Sequence, residues 1–380
     1  MTTSQATATA PDAQRDTSRL HGLDLARGLA MLGMFVAHTA AAGPYAQGTW
    51  LGTVLGWSHG RSSILFALLA GVSLGILTGR TRPYTGEAAV HARIRVLVRG
   101  VVLLAVTGFL AVLDGQVIVI LAYYSAWFFL ALPFAWWHPR RLFALAAVVA
   151  VLGPPLRWAL SAAFPPLLLV LDTYDINDFF VEALVSGGYP GLTYMVFVFV
   201  GLGLARLDLG AVAVELRLVA IGVGLAVVGY LGGLAASGAL GLDALAPVEL
   251  PEYDETLVPA ADLVAIWPHS GSTFEILGSG GVALAVTGLC LLVPDVAART
   301  VLAPLAAVGA MSLTAYSAHV VVLALIPTMV AADSAVPAVV LVIGSLALCW
   351  AWRAGVGRGP LELLMYVTSH RATRPPSPPG

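Results

Sequence analysis

Ten apolar stretches, each long enough to cross a lipid bilayer, limit the possible folds of this chain more than any other feature. An α-helix rises about 1.5 Å per residue, so roughly 20 residues span the hydrocarbon core. Charged residues make up only 11% of the chain, against about 25% in soluble domains. We therefore predict an all-α, polytopic membrane helix bundle of about ten transmembrane helices. The predicted spans are 20–42, 58–78, 94–113, 116–135, 141–163, 190–207, 213–235, 273–294, 302–327 and 336–354.

The arginines predict the orientation of these helices. The chain has nineteen arginines and no lysine, and fifteen of the arginines fall at every second gap or in the two tails. Basic residues concentrate on the cytoplasmic side of membrane proteins. With an even number of spans, the pattern predicts that both termini lie in the cytoplasm. The fifteen are Arg15, Arg19, Arg80, Arg82, Arg93, Arg95, Arg140, Arg141, Arg206, Arg217, Arg299, Arg353, Arg358, Arg371 and Arg374.

The chain divides into one membrane domain and two polar tails. Residues 1–19 lack the basic-then-apolar order of a signal peptide, so we interpret them as a disordered cytoplasmic tail. Residues 20–358 form the predicted transmembrane domain. Residues 359–380 end in a proline-rich run and are expected to form a disordered cytoplasmic tail. The composition indicates a multi-pass protein of a bacterial plasma membrane.

Several classes of function lack a matching motif. Cys290 and Cys349 lie in apolar stretches, which offers no disulfide or metal framework. We find no nucleotide-binding loop, zinc motif or nucleic-acid patch, so neither a metal nor a nucleic-acid partner is expected. An inverted repeat with matching broken helices is not evident either, which disfavours the common transporter folds.

Ionisable residues at membrane depth are the main functional candidates, because they are costly in a bilayer. In the first span Asp24, Arg27, Met31, Met34 and His38 are spaced 3, 4, 3 and 4, so they share one helical face. Asp24 and Arg27 can pair near the cytoplasmic end, as part of a site or as a structural ion pair. His38 lies about 21 Å further along the axis. It is either catalytic or an interfacial histidine that bonds to a neighbour.

Two polar residues open the second span. Arg61 opposes the orientation preference, so we expect it to bind an anion or to orient a catalytic group. The alternative is snorkelling to lipid head groups, which is our preferred interpretation of Arg157. His59, two positions before Arg61, is either part of the same functional group of residues or a surface histidine.

The start of the eighth span carries a further candidate group. Ser272 and Glu275 form a capping-box pattern, which explains both residues structurally. A helix start also presents N–H groups suited to an oxyanion, and His269 lies beside it.

In the ninth span Ser312, Tyr316 and His319 share a face, with His319 in the outer half. His38, Arg61, His269 and His319 are thus predicted to converge below the outer surface of the membrane.

Several segments resemble bacterial relatives of heparan-alpha-glucosaminide N-acetyltransferase. Residues 19–30, which read Arg-Leu-His-Gly-Leu-Asp-Leu-Ala-Arg-Gly-Leu-Ala, resemble the opening of that group. Residues 60–71, the Pro268-His269-Ser270 segment with Phe274-Glu275, and residues 311–316 with His319 fit later parts. The resemblance covers residue 19 to about 365. It implies transfer of an acyl group, expected to be acetyl, from cytoplasmic acyl-CoA to a sugar or another hydroxyl or amine beyond the membrane.

The first helix is also similar to membrane O-acyltransferases with an Arg-Gly-Leu-Ala start. In that family a histidine eleven residues after the arginine acts in catalysis, and His38 holds this position relative to Arg27. The lysosomal enzyme instead has its reactive histidine in the outer loop between helices 1 and 2. Residues 43–57 of this chain contain no histidine, so His38 and His59 are the nearest candidates.

The resemblance implies a division of roles. His38 would act as a general base or carry a covalent acyl group, His269 or the adjacent helix start would stabilise the oxyanion, and Arg61 would orient a reactant. Arg80, Arg82, Arg93 and Arg95 would attract the phosphates of acyl-CoA, although they serve equally well as topology determinants. The supporting residues would be Asp24, Arg27, His59, Glu275, Ser312, Tyr316 and His319.

The expected partners are the lipid bilayer, acyl-CoA and a carbohydrate or glycolipid acceptor, and the sequence leaves room for a homodimer. Two other functions stay open at this point. One is a transporter or flippase of a polar or lipid-linked substrate, and the other is a non-catalytic membrane scaffold.

Overall fold

The computed structural model describes residues 20–39, 50–113, 117–163, 182–245, 258–330 and 334–373, and within these ranges the chain is helical without any strand. Short 3₁₀ helices occur at Leu132–Phe134, Ala260–Leu263 and Pro327–Met329, and a π-helix at Glu182–Ser186. The α-helices are α1 (His21–Thr39), α2 (Trp50–Gly56), α3 (Arg61–Leu77), α4 (Gly86–Ala111), α5 (Ile120–Ala131), α6 (Pro139–Ala163), α7 (Gly191–Leu204), α8 (Val212–Ala239), α9 (Thr273–Leu292), α10 (Asp295–Arg299), α11 (Ala303–Ala310), α12 (Ser312–Leu325), α13 (Val336–Gly355) and α14 (Pro360–Arg371).

Five of the described helices, α4, α6, α8, α9 and α13, are long and apolar enough to cross a membrane. The pair α11 and α12 makes a sixth candidate if its two helices count as one span. Helices α3, α7 and the α5 segment are apolar but shorter. The all-helical membrane architecture is therefore confirmed, whereas the number of ten spans and the cytoplasmic termini stay predictions.

Small residues let the helices approach closely, as is common in membrane bundles. A side-chain carbon on Gly222 of α8 would lie 2.6 Å from the carbonyl oxygen of Gly281 on α9. Gly71 on α3 and Gly201 on α7 similarly leave no room for a side chain, because each faces the partner helix's main chain. These contacts hold α8 against α9 and α3 against α7.

Helix α1 lies inside the bundle, which explains how it keeps charged residues. Met31 and Phe35 are fully buried, and Asp24 is 5% exposed. Helix α13 lies at the edge of the bundle instead. Only 17% of the residues in its most apolar segment are buried, against 56% for α9. The exposed apolar face of α13 is therefore the surface expected to meet lipid.

The predicted ninth span, 302–327, is not one continuous helix. It breaks at Met311 into α11 and α12, which are bent by 83°. The carboxylate of Glu362 on α14 accepts hydrogen bonds from the main-chain N–H groups of Leu313 and Thr314, at 2.8 and 3.1 Å. A residue from elsewhere in the chain thus caps the new helix start.

Two other segments differ more strongly from the prediction than the remaining helix ends. Helix α4 begins at Gly86 rather than at 94, so it extends into the predicted loop. The prediction of a disordered tail from residue 359 was wrong for residues 360–371, which form α14 and pack against α4 and α12. The N-terminal tail, residues 1–19, lies outside the described residues.

Candidate functional site

Two histidines from distant helices form a contact at the centre of the candidate site. Nδ1 of His38, at the end of α1, lies 3.1 Å from Nε2 of His319 on α12. The two rings are nearly parallel, with centroids 5.3 Å apart. His319 is buried at 2% exposure, and His38 is half-buried. This contact fits both interpretations of His38, as an interfacial histidine bonded to a neighbour and as a catalytic residue.

The hydrogen bonds assign a proton to each ring. Nδ1 of His319 contacts the main-chain carbonyl of Tyr316, and a carbonyl oxygen can only accept, so this nitrogen carries the proton. In the neutral ring Nε2 of His319 is then an acceptor, and Nδ1 of His38 donates to it. The lone pair of His38 is consequently on Nε2, which makes no hydrogen bond to any described residue.

Aromatic contacts hold the histidine pair in place. The ring of Phe35, one turn before His38, lies 4.8 Å from the His319 ring, and the Tyr316 ring packs against it edge-on. The Tyr316 hydroxyl accepts a hydrogen bond from the main-chain N–H of Ile120 at 3.0 Å. Tyr316 therefore positions the ring from α12, while Ser312, at the first turn of that helix, lies about 10 Å away from His319.

His269 occupies a tight loop that Glu275 holds together. The carboxylate of Glu275 accepts hydrogen bonds from the main-chain N–H groups of His269 and Gly271, at 2.9 and 2.8 Å. Ser272 accepts from the N–H of Glu275 at 2.8 Å, which confirms the predicted cap. His269 itself has a left-handed backbone, with φ of 70°. A non-glycine residue in this region is uncommon and costs conformational energy.

The imidazole of His269 is fixed from two sides. Its Nδ1 lies 3.1 Å from the Tyr194 hydroxyl, which is also 3.1 Å from Ser63 Oγ. The main chain of Gly188 bonds to the ring as well, and Tyr189 packs against it edge-on. Burial, and then the nearby His59, lower the pKa of His269 to about 4. The ring is thus neutral at pH 7 and can act as a hydrogen-bonding group but not as a cation.

His59 lies near both His38 and His269. Its charge acts electrostatically on both His38 and His269, which places the three imidazoles near one another. His59 is half-buried, and its main chain is hydrogen-bonded to Gly56 and Arg61, whereas its imidazole makes no hydrogen bond to a described residue. The structure thus brings together His38, His59, His269 and His319, and we call this set the histidine cluster.

Arg61 points away from the histidine cluster toward α8. Its Nε donates to the Tyr230 hydroxyl at 2.8 Å, and its guanidinium lies 5.1 Å from the rings of both Trp57 and Tyr230. The Tyr230 hydroxyl in turn lies 3.0 Å from Ser279 Oγ. Arg61 does influence Glu275 electrostatically, but no described histidine contacts it directly.

Arg157 and Tyr194 belong to the site although the sequence analysis assigned them no role there. Arg157 donates from Nε to the carbonyl of Val185 at 2.8 Å and from Nη1 to the carbonyl of Ser270 at 3.2 Å. The snorkelling interpretation was therefore wrong: Arg157 fixes the loop next to His269. An arginine in the predicted outer half of a span is unusual, and this feature could have indicated a specific role for Arg157.

The base of α1 forms a separate polar group. Arg27 Nη1 lies 3.2 Å from Asp24 Oδ1, as the spacing predicted, and Nη2 donates to Ser73 Oγ at 2.9 Å. Asp24 and His38 are fourteen positions apart on one helix, so about 21 Å separates this pair from the histidine cluster. The contacts show a structural role in joining α1 to α3.

The four arginines expected to attract phosphates lie in different surroundings. Arg82 is exposed, Arg93 stacks on Trp136 at 4.6 Å, and Arg80 has a left-handed backbone with φ of 52°. Arg95 instead lies one turn from Arg99 on α4 and acts on it electrostatically.

Arg99, which the sequence analysis did not single out, completes a pair of like charges. In both Arg95 and Arg99 the Nε atom is buried without a hydrogen-bond partner. Neither guanidinium has a partner carboxylate among the described residues. Two adjacent cations in this situation form a pair that an anion would stabilise.

Within the described ranges, no three histidine, cysteine, aspartate or glutamate side chains are grouped so that they could hold a metal ion. The chemistry available to the site is therefore that of imidazoles, hydroxyls and guanidinium groups.

Comparison with known proteins gives one match. A family model described as an acyltransferase domain matches residues 20–353, which include every residue of the histidine cluster and the Arg95–Arg99 pair. No curated protein and no solved structure matches the chain. The matched region ends before α14.

Proposed function

Because the chain belongs to the acyltransferase-domain family, we propose that it transfers an acyl group from acyl-CoA to a hydroxyl or amine acceptor through the His38–His319 pair. The observation that carries the proposal is the unbonded Nε2 of His38, whose other nitrogen donates to His319. The expected donor is acetyl-CoA in the cytoplasm, and the expected acceptor is a cell-envelope sugar or glycoconjugate at the outer side of a bacterial plasma membrane. The nearer relation to heparan-alpha-glucosaminide N-acetyltransferase stays a prediction from the sequence motifs.

His38 is the general base in this proposal. Its Nε2 removes the proton from the acceptor hydroxyl while the acceptor oxygen attacks the thioester carbonyl. When the tetrahedral intermediate collapses, the carbon–sulfur bond breaks and the proton on His38 passes to the departing thiolate. An oxygen ester and free CoA result, and His38 returns to its neutral form.

His319 acts as a positioning residue. Its Nε2 accepts the hydrogen bond from Nδ1 of His38, which keeps the His38 lone pair on the reactive nitrogen. The carbonyl of Tyr316 fixes the His319 proton in turn. The same logic, with a carboxylate in place of the second histidine, orients the base in serine hydrolases.

His59 is the better candidate for the oxyanion. The start of α9 is already capped, because Glu275 and Ser272 occupy main-chain N–H groups there. Both sides of the His269 ring are engaged as well. The imidazole of His59 makes no hydrogen bond to a described residue, so the ring N–H can donate to the developing negative charge. His269 then supports the wall of the site.

The donor's phosphates would bind at Arg95 and Arg99. The two guanidinium groups lie one turn apart and lack a described anion. A diphosphate would neutralise both charges, and its oxygens would accept the hydrogen bonds. Arg80, Arg82 and Arg93 are then expected to add only a general attraction for an anionic donor.

Transfer of a labelled acyl group in isolated membranes tests the proposal. His38→Ala should lower the rate by at least about 10²-fold, the usual contribution of a general base, at unchanged expression. His91→Ala is the matched control, since His91 is a half-buried histidine of α4 that pairs with Glu87 and does not belong to the histidine cluster. Full activity of the His38 variant would reject the mechanism.

A transporter or flippase is the second candidate, and the break between α11 and α12 favours it. Discontinuous helices often bind substrates in transporters, and this pair bends by 83°. Reconstituted vesicles separate the two functions. Substrate flux without release of CoA would indicate transport, whereas acyl transfer that consumes acyl-CoA would indicate the enzyme.

A further inference from the structure

A polar cavity lies at the base of α1, far from the histidine cluster. Its volume is about 250 Å³, it is partly open to the surroundings, and α1, α10, α11 and α13 line it. Alanines form much of its wall, which leaves room for a ligand. The polar and aromatic part of the wall consists of His21, Asp24, Arg299, Trp350 and Arg353.

The charges around the cavity favour an anion. Asp24 pairs with Arg27 at 3.2 Å, and Asp295 lies 3.5 Å from Arg299 and 3.4 Å from His21. Arg299 and Arg353 in the wall, with Arg27 next to Asp24, give three arginines against the two carboxylates Asp24 and Asp295, so the net charge at the cavity is positive. The excess of positive charge suits a phosphate oxygen, which arginine binds well.

The position of the cavity indicates that its ligand arrives from the bilayer. It lies at the last turns of α13, the least buried of the five described helices that are long and apolar enough to cross a membrane. Leu348 and Trp350 there are 73% and 51% exposed, as expected at a lipid interface. Arg299 and Arg353 belong to the arginines that predict the cytoplasmic side. Basic pockets between helices at this level bind anionic lipid head groups.

We propose that this cavity binds the phosphate of an anionic phospholipid from the leaflet that the arginines predict to be cytoplasmic. The head group would enter between α1 and α13, its phosphate would contact Arg299 and Arg353, and the acyl chains would lie along the exposed face of α13. Bound lipid would thereby join an edge helix to the central helix of the bundle. This site is independent of the proposed acyl transfer.

Thermal unfolding of the purified full-length protein in detergent tests the site. Phosphatidylglycerol should raise the midpoint, because a ligand of the folded state stabilises it, whereas phosphatidylcholine should not. In the double variant Arg299→Gln/Arg353→Gln, apparent affinity for phosphatidylglycerol should fall roughly thirtyfold, as expected for two basic contacts. The double variant Arg140→Gln/Arg141→Gln, with the same charge change on the same predicted side, should respond like the wild type.

Two results would overturn the assignment. One is an unchanged response to phosphatidylglycerol in the cavity variant. The other is an equal response of the wild type to soluble glycerol phosphate, which would make the ligand a free phosphate and not a lipid. If the double variant fails to fold, Arg353→Gln alone leaves the Arg299–Asp295 pair intact and should still lose about fivefold in affinity.

Discussion

Nε2 of His319 lies 3.1 Å from Nδ1 of His38, although 281 positions separate the two residues in the chain. The contact joins the C-terminal end of α1 to a helix that begins only after the break at Met311. The proposed base and the residue proposed to orient it thus come from opposite ends of the sequence, and the fold of the whole bundle is needed to bring them together.

Removing the orienting histidine should slow the reaction without weakening substrate binding. In His319→Ala the His38 ring loses its partner and can adopt the wrong tautomer, so kcat should fall about 10²-fold while KM stays unchanged. Steady-state kinetics with labelled acyl-CoA measures both. His319→Gln, whose amide oxygen can accept the same hydrogen bond, should recover part of the rate. A rise in KM with normal kcat would contradict the positioning role.

Arg95→Gln and Arg99→Gln should each weaken donor binding. Since each removes one cation from a pair without a described anion, we expect KM for acyl-CoA to rise about tenfold, which corresponds to 1.4 kcal/mol. Saturation curves in membranes provide the measurement. Arg93→Gln is the control, because Arg93 stacks on Trp136 and should change KM little. Equal increases of KM in all three variants would indicate a general electrostatic attraction and contradict a specific phosphate site at Arg95 and Arg99.

Glu275→Gln should destabilise the loop that presents His269. The buried carboxylate accepts two main-chain hydrogen bonds, and the amide can accept only with one of its two positions. We expect a loss of about 1–3 kcal/mol, seen as a lower unfolding midpoint. Glu87→Gln removes an exposed pair with His91 and should have almost no effect. The prediction fails if both variants unfold at the same temperature as the wild type.

Acid should destabilise the protein through His269. Its pKa is lowered from the ordinary 6.5 to about 4 in the folded state, so the unfolded chain binds the proton more readily. The stability from this group is complete above pH 6.5 and declines as the pH falls toward 4, by on the order of 1 kcal/mol per pH unit. Unfolding midpoints at pH 7 and pH 5 should differ less in His269→Asn than in the wild type. Parallel pH profiles would exclude His269 as the source.

The helix beyond the matched family region should matter for activity. Glu362 on α14 caps the start of α12, the helix that carries His319. Glu362→Gln should lower stability by about 1 kcal/mol, a typical cap contribution, and should reduce acyl transfer. Thermal unfolding and the transfer assay together test this. The matched control is Glu87→Gln, and unchanged values for both measurements would show that α14 does not support α12.

Patterns along single helices predicted much of the structure. The face of α1 with Asp24 and His38, the Ser272–Glu275 cap and the Asp24–Arg27 pair all follow from spacings of three or four residues. Such spacings are local, and helical geometry converts them directly into neighbours.

Features that depend on contacts between distant segments could not be predicted from the sequence. No proline or glycine occupies position 311, so nothing local indicates the break, and Glu362 that caps it comes about fifty positions later. Arg157 was interpreted from its depth alone, whereas its acceptors are two main-chain carbonyls, those of Val185 and Ser270, far along the chain. Arg61 was expected among the histidines but binds Tyr230, which a list of polar residues could not indicate.

The left-handed backbone of His269 has a consequence for how this protein can change. Glycine or asparagine would relax that conformation, so screening variants for heat resistance alone should enrich them at position 269. The same variants would lose the imidazole that meets Tyr194. Stability therefore favours glycine or asparagine at position 269, whereas the proposed activity favours histidine. A library of variants at this position, selected first for heat resistance and then for acyl transfer, would show that the two selections enrich different residues.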